Sequence, residues 1–103
     1  MSVTVVRYKT HPDRAEENQV LIEKVFAELQ AAQPDGLRYT SYRLEDGVSF
    51  VHIASSAETA DGRSPLQDIA AFQAFQQGIA DRCDEPPAPA RLREVGSYGF
   101  WGE

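Results

Sequence analysis

Hydrophobic and polar positions change period along the chain, and each change marks a predicted element. Residues 2–9, SVTVVRYK, are rich in β-branched and aromatic side chains, which predicts a strand. Past Pro12 the period lengthens. Ile22, Val25, Phe26, Leu29 and Ala32 recur at helical spacing, with Glu17, Gln19, Glu23, Lys24 and Glu28 mostly off that stripe. Asp13 followed by Glu16 has the pattern of a capped helix start, and Pro34, Asp35 and Gly36 end the helix. Residues 37–45 and 48–55 read as two strands around Asp46-Gly47, a pair suited to a two-residue type I′ turn. That turn sets the register. It pairs Arg43 with Phe50, Ser41 with His52 and Tyr39 with Ala54 on one face. Leu44 with Ser49, Tyr42 with Val51 and Thr40 with Ile53 fall on the other.

A polar loop over 57–63 leads to Ser64-Pro65-Leu66-Gln67, a helix start with Ser as cap and Pro at the first helical position. Leu66, Ile69, Phe72, Phe75, Ile79 and Cys83 then share one stripe. Residues 84–90, with three prolines, read as a stiff connector, and 91–101 as a closing strand ending at Trp101. The order β-α-β-β-α-β predicts an α+β fold of ferredoxin-like topology. Its antiparallel four-stranded sheet carries two helices on one face. One domain spans residues 1–103.

Such a sheet leaves one face without helices, and a face that met water should be polar. Here Val3 and Val5 alternate with Val6 and Tyr8, and Phe50 alternates with Val51 and Ile53, so both faces are apolar. The simplest cover is a second copy, giving a homodimer through the sheet face, with Phe50 assigned to that contact.

The net charge of −6 and scattered basic residues argue against nucleic acid as a partner. No apolar run reaches the roughly 20 residues of a membrane helix, so no membrane partner is expected. The first strand begins beside Met1 and leaves no room for a signal peptide, and Cys83 is the lone cysteine. A cytoplasmic location follows as the default.

Among candidate chemical groups, His52 falls mid-strand beside Ser41, with Arg43 and Tyr39 on its face. Held among hydroxyls and a guanidinium, it could act as a neutral general base, or serve as a hydrogen-bonded polar residue inside the dimer contact. Arg38 and Tyr42 share the face of Val51 and Ile53, assigned to the helix side, toward which Phe72 and Phe75 point. Those four could line a cleft for a planar phenolic or anionic ligand, or the aromatics could be plain core. Histidine, cysteine and acid spacings offer no metal site, and no G-x-S-x-G elbow is present.

With its element order, its Asp46-Gly47 hairpin and the Phe72-Gln73-Ala74-Phe75 segment, the whole chain resembles the dimeric α+β barrel superfamily. Within it, the antibiotic-biosynthesis-monooxygenase-like domains are most similar. That resemblance implies a dimeric fold with a ligand cleft between helices and sheet, and since the sequence shows no ligand set for a metal, flavin or haem, no cofactor is expected. It does not extend to the haem-degrading branch, which uses a first-strand Asn and a second-helix His; here Arg7 and Tyr8 stand on the first strand and the second helix has no His. The resulting expectation is a small homodimer that binds a phenol- or quinol-like molecule and acts as a cofactor-independent monooxygenase. In it Arg38, Tyr42, Phe72 and Phe75 bind substrate, while His52 and Tyr42 are catalytic. The alternative is a non-enzymatic binding or regulatory module.

Overall fold

A computed structural model describes residues 2–56 and 64–100. The predicted loop at 57–63 and the predicted strand end at Trp101 lie outside the described residues. The elements are β1 (Ser2–Thr10), α1 (Ala15–Ala32), β2 (Leu37–Arg43), β3 (Ser49–Ser56), α2 (Ala70–Gln76), α3 (Ile79–Arg82) and β4 (Cys83–Leu92). The four strands form one antiparallel sheet in the order β2-β3-β1-β4. This is the ferredoxin-like α+β fold.

The predicted hairpin register is observed: Arg43 faces Phe50, Ser41 faces His52 and Tyr39 faces Ala54. The turn chemistry differs. Gly47 alone has positive φ (+77°), so the turn is not type I′, which needs two such residues. Asp46 instead folds its carboxylate back, accepting from the amides of Val48 (3.0 Å) and Ser49 (2.8 Å) and from the Ser49 hydroxyl (2.6 Å). A side chain that can bond its own turn competes with the mirror-image turn and keeps the same strand pairing.

Both helical segments depart from their predicted starts. A 3₁₀ turn at Pro12–Arg14 precedes α1, which begins at Ala15 without a side-chain cap, so Asp13 does not cap it. The second helical stretch is not continuous. Ser64 caps a 3₁₀ turn at Pro65–Asp68, Ile69 is extended, and α2 ends before Gly78, whose φ is +76°. Glu28 of α1 accepts from the Ala70 and Ala71 amides (3.0 Å each) and so caps α2 from a neighbouring helix.

The proline-rich segment is the last strand and not a connector. Pro86, Pro87 and Pro89 lie within β4, which pairs with β1 from Val3–Leu92 to Thr10–Cys83 through register shifts near Lys9. As an edge strand, β4 needs ladder donors on one side only, which lets it carry prolines. Residues 93–100 are not a strand, so the strand predicted over 91–101 ends at Leu92.

The core lies between the helices and one face of the sheet. Tyr8, Val25, Phe50, Leu66, Ile69 and Phe75 are each 5 % exposed or less. Phe50, expected in the dimer contact, is at 1 % in the core of the single chain. Alternation then places Thr40, Tyr42, Val51 and Ile53 on the opposite, open face. Tyr42 is 51 % exposed there. Part of the open face borders a cleft of about 400 Å³ with Leu92, Val95 and Phe100 of the C-terminal segment.

Candidate functional site

Three elements bring polar groups under the helices. β1 contributes Tyr8, β2 contributes Tyr39 and Ser41, and β3 contributes His52, all on the face that α1 and α2 cover. His52 is 4 % exposed. Its Nε2 lies 2.7 Å from Tyr8 Oη, and its Nδ1 lies 2.6 Å from Ser41 Oγ and 2.9 Å from Tyr39 Oη. The imidazole stacks between the two phenol rings, with centroids 5.3 Å from Tyr8 and 5.9 Å from Tyr39, and meets Phe75 at 5.3 Å.

The network continues away from the sheet. Tyr8 Oη accepts from Asn18 Nδ2 (2.9 Å), and Asn18 Oδ1 accepts from Arg82 Nε (3.1 Å). Arg82, 2 % exposed, also donates to the carbonyls of Phe75 (2.6 Å) and Gln77 (3.3 Å), with its guanidinium over the Phe75 ring. Buried polar groups need such partners, because an unpaired one costs about 1–3 kcal/mol.

A cavity of about 340 Å³ opens beside this network, walled by Val6, Tyr8, Tyr39, His52, Phe72 and Phe75 among others. Burial shapes its electrostatics. Desolvation lowers the His52 pKa to about 4, so its imidazole is neutral at neutral pH. Desolvation also pushes the Tyr39 phenol up to about 12, against the smaller opposing effect of its hydrogen bond with Ser41. Tyr8 is raised further by the same cause, with Asn18 opposing. Both phenols therefore keep their protons. Neutral hydroxyls beside a neutral imidazole can pass a proton without holding a net charge in an apolar space.

Of the sequence-derived candidates, His52, Phe72 and Phe75 meet at this cavity. Arg38 and Tyr42 do not. They point to the open face, opposite to the helix-side assignment, because the face of Tyr39 and His52 is the one buried under α1 and α2. The turn pinned the register, but both strand faces are apolar and the face assignment was inverted. Sequence reasoning placed Ser41 and Tyr39 beside His52 by register and passed over the other three residues of the network. Tyr8 was visible as the aromatic of β1. Asn18 was a polar residue four before Ile22, on the apolar stripe of α1. Arg82, next to Cys83 at the end of the second helical stripe, carried no signal.

No family model matches the chain, and no curated protein sequence matches it either. Solved structures do. Rv0793 from Mycobacterium tuberculosis superposes with a TM-score of 0.73 at 16 % identity, covering 93 % of this chain and 96 % of its own. A candidate antibiotic biosynthesis monooxygenase from Nitrosomonas europaea gives a TM-score of 0.74 at 18 % identity, over 93 % of this chain and all of its own. The chain has the fold of the antibiotic-biosynthesis-monooxygenase-like proteins. SnoaB from Streptomyces nogalater, a cofactor-independent oxygenase seen in a single-substitution variant, shares this fold with a TM-score of 0.65 at 18 % identity, covering 93 % and 94 % of the two chains. At these identities the likeness is one of fold. Among the described residues no helix is long and apolar enough to cross a membrane.

Proposed function

We propose that the protein binds a planar, phenol- or quinol-like molecule in the cavity between helices and sheet and supports its cofactor-independent oxygenation. One observation carries this reading: a neutral, buried His52 held between two phenol hydroxyls on the wall of an aromatic cavity. The fold shared with SnoaB, itself a cofactor-independent oxygenase, agrees with it. In such chemistry the substrate's own anion reacts with oxygen, so the protein needs only to hold the ring, take a proton and keep water out. Phe72 and Phe75 hold the ring from α2. Tyr8 Oη, which has a second lone pair beyond the one given to Asn18, takes the substrate proton as its own passes to His52 Nε2. The anion formed beside the ring then favours the imidazolium that burial alone disfavours.

The partner in this reading is a second copy. The open face with Val3, Val5, Tyr42, Val51 and Ile53 supports a homodimer through the sheet, and the overall reading places the protein in the cytoplasm. A binding module without turnover is the second reading. It is favoured by the engagement of both His52 ring nitrogens inside the protein.

The test is a titration with naphthols and naphthohydroquinones, followed by NMR of the cavity side chains and by an oxygen electrode. Binding that shifts the His52 and Phe75 signals, with oxygen uptake above the protein-free control, is the expected result. Binding without uptake favours the module, and no perturbation of any cavity residue overturns both readings.

A further inference from the structure

The hydrogen bonds leading from Arg82 have a direction. A guanidinium only donates, so Asn18 must turn its oxygen to Arg82 Nε (3.1 Å) and its amide nitrogen to Tyr8 Oη (2.9 Å). That nitrogen also only donates. Tyr8 therefore accepts from Asn18, and among the described residues the partner left to take its own proton is His52 Nε2, at 2.7 Å. With Nε2 accepting, a neutral imidazole must carry its proton on Nδ1. The shorter contact there is Ser41 Oγ at 2.6 Å. Ser41 also hydrogen-bonds Tyr39, so once its oxygen accepts from Nδ1 its own proton turns to that phenol. The Tyr39 proton is then left for the cavity it lines.

We propose that Arg82, acting through Asn18 and Tyr8, fixes His52 as the Nδ1–H tautomer and thereby makes Tyr39 a hydrogen-bond donor toward the cavity. Neither Arg82 nor Asn18 is among the residues lining that cavity, so both are positioning residues. The polarity also narrows the ligand proposed above, a step that rests on that reading: the oxygen meeting Tyr39 is an acceptor, as in the keto form of a quinol.

The test reads the tautomer directly, on ligand-free protein. The chain has one other histidine, His11, so ring ¹⁵N–¹H correlation spectra are readily assigned. Wild-type His52 should show a pyrrole-type Nδ1 and a pyridine-type Nε2. Asn18→Asp keeps the shape and still accepts from Arg82, but its carboxylate has no proton to give. Tyr8 must then donate to Asp, Nε2 must donate to Tyr8, and the two nitrogen signals should exchange character. A merely structural role for Asn18 would leave the tautomer unmoved. An Nε2–H wild type, or an Asn18→Asp spectrum with the wild-type pattern, overturns the proposal; the wild-type spectrum decides even if the variant does not fold. Because no ligand is involved, failure of the cavity to bind naphthols is a separate result, counting against the function and not against the tautomer.

Discussion

Under the helices, the sheet presents Tyr8, Tyr39, Phe50 and His52, each hydrogen-bonded or stacked with its neighbours. On its other side the same strands present Val3, Thr40, Tyr42, Val51 and Ile53, none of them in the buried core. The two sets have nearly the same apolar content, yet one holds a polar network inside a packed core and the other a surface ready for cover. Composition along a strand therefore does not say which face is the core. Burial by α1 and α2 decides that, and the chemistry follows the covered side.

The strongest way to break this contrast is to put a charge at adjacent positions of one strand that point to opposite faces. Phe50→Asp places a carboxylate in the core at a residue 1 % exposed, stacked on Tyr8 with centroids 5.6 Å apart. Losing the ring costs about 3–5 kcal/mol and the unpaired charge adds several more, so the chain should not fold. Circular dichroism should show no cooperative melt. Val51→Asp, one residue on, should melt like wild type but sediment as a single chain, with self-association weakened by about a hundredfold or more if the open face is the dimer contact. A Phe50→Asp protein that folds normally would overturn the core assignment, and a Val51→Asp dimer would rule out the open face as the contact.

Most of the fold was legible because its signals were local. The helix stripe of α1, the Asp46-Gly47 hairpin and the β-rich first segment each carry their own period or turn chemistry. What failed was non-local. The strand β4 hides behind three prolines, which are tolerated only because it lies at the sheet edge, a fact that topology creates and sequence does not display. The second helical stripe reads as continuous, yet Ile69 and Gly78 break it and Glu28, far away in sequence, caps α2. In the site, His52 was chosen for its residue type and its neighbours by register, and it does reach the cavity. Arg38 and Tyr42 were placed by guessing a face that two equally apolar surfaces could not specify.

The buried network also predicts an acid limit. His52 has a folded pKa of about 4, below its ordinary value near 6.5. Between these values the unfolded chain binds the extra proton, so stability rises with pH there. The contribution is complete above about pH 6.5 and is lost as the pH falls toward 4, amounting to about 3 kcal/mol over that window. Urea melts at pH 7 and pH 4.5 should differ by most of this amount, and His52→Gln should flatten the difference. A pH-independent midpoint in the wild type would mean that His52 is not held neutral by burial.

The smallest effect sharpens the comparison most, because it uses one residue type on both faces. Tyr39 and Tyr42 are three apart on β2, and alternation sends them to opposite sides. Tyr39 Oη lies 2.9 Å from Nδ1 of the buried His52 imidazole, and its ring stacks on Phe26 with centroids 5.2 Å apart, while Tyr42 is half exposed. Tyr39→Phe keeps the ring and removes one buried hydrogen bond, so it should cost about 1 kcal/mol in chemical denaturation. Tyr42→Phe removes a hydroxyl that reaches solvent and should fall within about 0.5 kcal/mol of wild type. Naphthol binding should follow the same split, weakening about fivefold in Tyr39→Phe and not at all in Tyr42→Phe. Equal effects from both would mean that ligand contacts extend to the open face, and the reverse order would mean that the cavity under the helices is not the binding site.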